Sequence, residues 1–283
     1  LGYKLVALDL DGTLLAKEKY IAESTSERIA EAEKLGVKFT IATGRMSRGA
    51  LRYAEQLGID IPIITYNGAV TRTVAAGTVC REYKVPLKGA MQAINLLKGQ
   101  PVLRYAFVDD EVYTDTPHEW TDRYAELLEV EMQFVDDIHD ALTTDPTMLV
   151  FMVTELKAAE LTYVLREHLN QGVRVTNSAE WFLDVLNEEA SKGFALKWLA
   201  DSLGIAREEV IAIGDNSNDL EMIQYAGLGA AVSNASPGLA AAADYVATLP
   251  MCEGVDEIID KFVLGSAAPE DDRGSALIQN PFL

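Results

Sequence analysis

The sequence predicts an α/β fold, a doubly wound core around a parallel sheet with an inserted α+β unit. Three observations carry that prediction: a β-α-β-α-β rhythm over residues 5–66, its return after residue 192, and a run of hairpins mixed with helices between the two. Length permits it, since 283 residues can form one large domain or two moderate ones and bury a substantial core.

Leu5, Val6, Ala7 and Leu8 are apolar at consecutive positions, as in a strand buried on both faces of a parallel sheet. The run stops at Asp9-Leu10-Asp11-Gly12-Thr13. Period-two alternation points Asp9 and Asp11 the same way and turns Leu10 back into the protein. Ligands of open α/β sheets bind beyond the carboxyl ends of the strands, which is where the two acids would emerge. Neighbouring carboxylates repel and are costly to desolvate, and a divalent metal is the simplest remedy. Taken alone, the pentapeptide reads equally well as a turn. It is not a calcium loop, because the positions that need glycine and a bidentate glutamate hold Leu14 and Tyr20.

Ser24 and Glu27 have the spacing of a capping box, opening a helix that closes at Gly36. Residues 37–42 predict a second strand that ends at Thr43-Gly44-Arg45, residues 46–57 a helix, and residues 62–66 a third strand. After Asn67-Gly68 the rhythm changes. Residues 70–74 and 79–85 suggest a hairpin across Ala76-Gly77, and a helix near 88–98 follows Pro86. Residues 103–108 and 111–114 suggest another hairpin, followed by a strand at 148–154, a helix at 156–169 and paired strands near 173–176 and 181–185. These belong to an inserted unit, roughly residues 84–188. The core resumes with a helix at 192–203, a strand at 210–213, a helix at 220–226, short strands near 228–232 and 245–247, and a last helix from about 255 to 262. The core is therefore discontinuous, residues 1–83 and 189–264, and residues 265–283 form a loosely held tail.

Composition removes several function classes. A formal net charge of -20 disfavours nonspecific binding to nucleic acid or an anionic membrane, so an anionic substrate needs a locally positive site. No apolar run approaches the roughly 18 residues of a membrane helix. Cys80 and Cys252 give neither a disulfide framework nor a metal spacing, and the amino end enters the first strand without room for a signal peptide, so a cytoplasmic location is expected. His118, His139 and His168 match no motif and are read as surface residues. Oligomeric state leaves no trace in the sequence.

Once the insertion is set aside, three apolar strands end in polar groups: Asp9-Leu10-Asp11, Thr43-Gly44-Arg45 and Asp215-Asn216-Ser217-Asn218-Asp219. A fourth group, Ser191-Lys192-Gly193, lies at a predicted helix start, where backbone amides favour an anion. Singly, each has an ordinary reading as a turn, a solvated lysine or a helix cap. Together they supply carboxylates for a hard cation, a hydroxyl and amides for phosphate oxygens, and an ammonium, which is what phosphoryl transfer demands.

In residue type and order, these groups resemble the haloacid dehalogenase superfamily of aspartate-nucleophile phosphatases. The long insertion, preceded by Tyr66-Asn67-Gly68-Ala69, is similar to that of the Cof-type subfamily with a C2 cap, subclass IIB, whose core is Rossmann-like. The resemblance spans residues 3–263 and implies roles. Asp9 would be the nucleophile, forming an aspartyl-phosphate, and Asp11 would protonate the leaving oxygen and then deprotonate water. Thr43 and Lys192 would hold the phosphoryl group, helped by Leu10, Gly12, Gly44, Arg45 and Asn218, with Arg45 either on the substrate or in a salt bridge within the core. Mg²⁺ would sit among Asp9, Asp11 (through its backbone carbonyl), Asp215 and Asn218, with Asp219 in the same group positioning its neighbours. The implied activity is Mg²⁺-dependent hydrolysis of small phosphorylated metabolites such as sugar phosphates. A phosphomutase and a noncatalytic phosphometabolite-binding protein are the alternatives.

Overall fold

The computed structural model describes residues 2–15, 20–153, 157–169, 172–178 and 181–265. From the amino end the chain forms β1 (Leu5–Leu8), α1 (Glu23–Lys34), β2 (Lys38–Ile41), α2 (Ser47–Gln56) and β3 (Ile63–Thr65). A short turn of helix at Tyr66–Gly68 leads to β4 (Val70–Arg72) and β5 (Val79–Glu82). Next come α3 (Leu87–Leu96), β6 (Val102–Val108), β7 (Glu111–Thr114), α4 (Glu119–Leu128), β8 (Met132–Phe134), β9 (Met148–Val153), α5 (Ala158–His168), β10 (Val173–Thr176) and β11 (Phe182–Asn187). The chain closes with α6 (Lys192–Ser202), β12 (Val210–Gly214), α7 (Leu220–Tyr225), β13 (Leu228–Ala231), α8 (Pro237–Ala242), β14 (Tyr245–Val246) and α9 (Met251–Ile259).

Five strands make the central sheet in the order β14-β13-β12-β1-β2, and every pairing is parallel. All four residues of β1 are fully buried, as a middle strand covered by helices on both faces requires. In α1 the buried residues are Thr25, Ile29 and Ala32, spaced so that one stripe faces the core. The helix begins at Glu23 after Ala22, which makes no side-chain cap, so Ser24 and Glu27 do not form the expected capping box. Ser24 instead donates to Asp256 and thereby ties α1 to α9. The strand at 62–66 also departs from expectation. It joins β2 by a single parallel bridge, Ala42 with Ile64, and otherwise pairs antiparallel with β4 in the separate sheet β3-β4-β5.

Residues 102–187 build a six-stranded sheet, β10-β11-β9-β6-β7-β8, antiparallel except where β8 joins β7. Both faces are apolar, and alternate residues divide between them. Leu149, Phe151 and Val153 of β9 pack with Ala90, Ala93 and Ile94 of α3 and Leu161 and Leu165 of α5. Met148, Val150 and Met152 face the other way, into a cluster that takes in Tyr124 and Leu128 of α4 together with Met46, Tyr66 and Val70 from the first part of the chain. That second apolar layer seats the six-stranded sheet and α4 against the parallel-sheet unit. Helix α4 and strand β8 fall within residues 115–147, a stretch for which the sequence pattern predicts no element. The expected tail lies outside the described residues from 266 onward. Among the described residues, no helix is long and apolar enough to cross a membrane.

Candidate active site

The strand order sets the geometry of the site. Because β12, β1 and β2 are adjacent and parallel, with Leu8 in register with Ile213 and Ile41, three polar segments emerge side by side at the carboxyl edge: Asp215, Asp9 and Thr43. The backbone N–H of Asp9 still donates to Ile213 at 3.0 Å, so Asp9 is held by the sheet. It is 5% exposed and Thr43 is 1% exposed.

Lys192 is the first residue of α6, after Ser191, whose hydroxyl caps the helix by accepting from the Phe194 N–H at 3.0 Å. Its side chain is fully buried, and Nζ donates to Asp9 Oδ1 at 2.5 Å and to Asp219 Oδ1 at 2.6 Å. Asp219 is fully buried too, and its Oδ2 accepts from the backbone N–H groups of Asp215 and Asn216, both at 3.0 Å. Asp219 thus fixes both the lysine and the loop after β12. Thr13 donates to Asp215 Oδ1 at 3.0 Å. Gly12 has φ +86°, and a Cβ there would lie 2.4 Å from Asp215 Oδ2, so only glycine lets the loop after β1 pass so near that carboxylate.

Asp11 lies at the edge of this buried group. Its carboxylate is about half exposed and accepts a fork from Arg45, Nε at 2.7 Å and Nη2 at 2.5 Å. Arg45 is nearly buried and stacks near the Tyr53 ring. Of its two expected placements, the one observed is the salt bridge within the core. Burial opposes the Arg45 charge, but Asp11 outweighs it and raises the guanidinium above its ordinary range.

The electrostatics leave a deficit of positive charge. Asp9, Asp215 and Asp219 each offer an oxygen within 4.8 Å of the others, and among the described residues Lys192 is the one ammonium that bonds to them. Burial, then the neighbouring Asp219 and Asp215, push the Asp9 carboxyl well up although Lys192 pulls it down. Burial and Asp219 push Asp215 up to about 6. Lys192 is raised despite its burial, because Asp219 and Asp9 hold its proton. Three acids around one ammonium, two of them buried, make a donor set that a hard divalent cation fits.

Asn67, to which no role was given from the sequence, joins the parts. Tyr66 and Asn67 both take left-handed backbone angles after β3, and the Asn67 N–H donates to the Thr43 carbonyl at 2.9 Å. Its side-chain oxygen accepts from Asn218 Nδ2 and its Nδ2 donates to Asp184 Oδ2, each at 2.9 Å. Asp184, on β11, is 1% exposed, and burial pushes its carboxyl up to about 6 against the hydrogen bonds from Ser178 and Asn67. The Asn-Gly pair at the end of an apolar strand was the available sequence signal for Asn67. The sequence carries no such signal for Asp184, 117 residues away. A cavity of about 230 Å³ opens over the site, bounded by Asp9, Asp11, Gly44, Arg45, Asp215 and Asn218 below and by Tyr124, Leu127, Ser178 and Phe182 above. Leu10 is fully buried beneath it, as the alternation predicts.

A family model described as haloacid dehalogenase-like hydrolase matches residues 6–259. YxeH of Bacillus subtilis (strain 168) is 30% identical over 269 residues, which cover 93% of this chain and 99% of that protein. Pyridoxal phosphate phosphatase YbhA of Escherichia coli (strain K12) is 29% identical over 252 residues, covering 86% and 92%. A haloacid dehalogenase-like hydrolase from Bacteroides thetaiotaomicron has a similar structure, with a TM-score of 0.80 at 28% identity over 92% of this chain and 99% of that one. The chain belongs to the haloacid dehalogenase-like hydrolase family.

Proposed function

We propose that this haloacid dehalogenase-like hydrolase is a Mg²⁺-dependent phosphatase that releases inorganic phosphate from small phosphomonoesters through an aspartyl-phosphate on Asp9. The observation that carries the reading is the convergence of Asp9, Thr43 and Asp215 at the ends of three adjacent strands, with Lys192 Nζ 2.5 Å from Asp9 Oδ1. YbhA, by its name a pyridoxal phosphate phosphatase, is a relative whose substrate belongs to this class.

The steps follow from the side chains. An Asp9 oxygen attacks phosphorus as the bond to the ester oxygen breaks, and Asp11, which borders the cavity, gives that oxygen a proton that it takes up from solvent on leaving its fork with Arg45. Asp11 then takes a proton from water, whose oxygen attacks phosphorus and frees the Asp9 carboxylate. Thr43 donates to a phosphoryl oxygen, Gly44 lets the backbone come close, and Lys192 offsets the charge shared by Asp9 and the phosphoryl group. Asp9 and Asp215 would hold Mg²⁺, which when bound lessens the repulsion between the carboxylates and a phosphoryl dianion. Asp219 acts by holding Lys192 and the loop after β12, and Asn218 is aligned by Asn67. Arg45 fixes the direction of both Asp11 oxygens. Residues 84–188 are the cap over this core.

Asp9→Asn should lower phosphate release from a generic phosphomonoester by more than about 10³-fold while the circular dichroism spectrum is unchanged. Excess chelator should abolish the wild-type activity and added Mg²⁺ restore it. Full activity in Asp9→Asn overturns the reading.

A further inference from the structure

The site cavity shares Tyr124, Leu127 and Phe182 with a second, larger cavity of about 430 Å³. The second cavity lies within the cap, between α4 and the start of β11. Its further lining includes Trp120, Met152 and Trp181, and among the described residues Arg123 is the one charged group that lines it. The guanidinium carbon of Arg123 sits over the Trp120 ring, 4.6 Å from its centroid, and the Tyr124 and Phe182 rings pack at 5.2 Å with their planes tilted by 36°. His118 fixes the start of α4 by accepting from the Trp120 N–H through Nδ1 at 3.1 Å. Trp120 and Trp181 remain 44% and 42% exposed, an arrangement that leaves two large rings facing solvent across an apolar floor.

Resting on the phosphatase reading above, we infer that this second cavity receives the leaving group, and that the preferred leaving group is a flat aromatic or heteroaromatic alcohol. Adjacency is the first reason: Tyr124, Leu127 and Phe182 line both cavities, so the ester substituent of a phosphoryl group at Asp9 points toward the residues that border the second. Chemistry is the second. Four aromatic side chains and an arginine line the cavity, and a planar ring among them gains from both buried area and quadrupole. A sugar or polyol would surrender water from several hydroxyls to a wall with few polar atoms, and each hydroxyl left without a partner weakens binding.

The inference is tested with 2-(1-naphthyl)ethyl phosphate against glucose 6-phosphate in saturating Mg²⁺. Both leave as primary alcohols, so the comparison reads recognition of the substituent. Wild-type kcat/KM should favour the naphthyl ester by at least about 10-fold, and Trp181→Ala and Phe182→Ala should each reduce that preference by about 10-fold, chiefly through KM. Trp181 is exposed enough for its truncation to leave the core intact. Calorimetric titration of Asp9→Asn separates binding from turnover, and the naphthyl ester should bind at least about 10-fold more tightly than glucose 6-phosphate. Equal or reversed preference in kcat/KM or in binding overturns the inference. So does a preference unchanged in both variants, including the case in which Trp181→Ala instead shifts the sedimentation coefficient, which would mark the face as a contact between copies. Tight naphthyl-ester binding with no turnover of any ester would overturn hydrolysis and support the aromatic pocket.

Discussion

Asp184 shows what a buried carboxylate costs when its partners are mostly neutral. It is 1% exposed and bound to Asn67, and its carboxyl is pushed from an ordinary 3.8 up to about 6. Between those values the folded chain holds a proton that the unfolded chain has lost. Stability from this group is therefore complete below about pH 4, falls as pH rises, and is gone above about pH 6, a swing of about 3 kcal/mol. Asp184→Asn keeps an acceptor for Asn67 and removes the titration. Urea unfolding at a series of pH values should show the loss of stability between pH 4 and 6 reduced by about 3 kcal/mol relative to wild type. An identical slope in the variant would mean that some other group carries it. The residue earns attention because the chain Asp184, Asn67, Asn218 runs from the six-stranded sheet to the site.

At the scale of elements, the helical turn Tyr66–Gly68 and the start of α6 act as one joint. Gly68 has φ +94°, and a Cβ there would lie 2.1 Å from the Ser191 carbonyl oxygen and 2.8 Å from the Lys192 nitrogen. Both clashes are with backbone, so α6 must move to admit even alanine. Gly68→Ala should cost about 3 kcal/mol of stability in urea unfolding. Because the displaced residue is Lys192, kcat should also fall by about 100-fold at temperatures where the variant is still folded. Loss of stability with kcat intact would show that Lys192 is placed independently of this joint. The contact also explains what the sequence could and could not disclose. Asp9, Thr43 and Asp215 were legible because each ends an apolar strand, and strand ends of a parallel sheet meet by rule. Lys192 was legible only as a helix start. Its distance from Gly68 depends on a close approach between segments 124 residues apart, which no local pattern records. Helix α4 is a different case: buried Thr121, Tyr124 and Leu128 do follow a helical stripe, but the polar residues between them masked it. The capping box at Ser24 failed because the helix starts one residue earlier, at Glu23, which places Ser24 inside the first turn, where its hydroxyl donates to Asp256 on α9.

For the molecule as a whole, the charge distribution predicts an unusual response to salt. The chain carries a formal net charge of -20, whereas Lys192 is fully buried and Arg45 is nearly so and already paired with Asp11. A phosphate dianion therefore approaches a molecule whose net charge repels it at long range, and among the described residues the cations at the site, Lys192 and Arg45, are buried or nearly so. Raising ionic strength from 0.01 to 0.15 M shortens the screening length from about 30 Å to about 8 Å. That change weakens the long-range repulsion far more than the contacts to an ammonium whose side chain is fully buried. At constant free Mg²⁺, kcat/KM for a phosphomonoester should rise about 3-fold over this range, with the change in KM and little in kcat. An enzyme that steered its substrate with exposed cations would instead lose activity steeply as salt is added. A tenfold fall in kcat/KM would thus show that capture depends on exposed positive groups rather than on the buried Lys192.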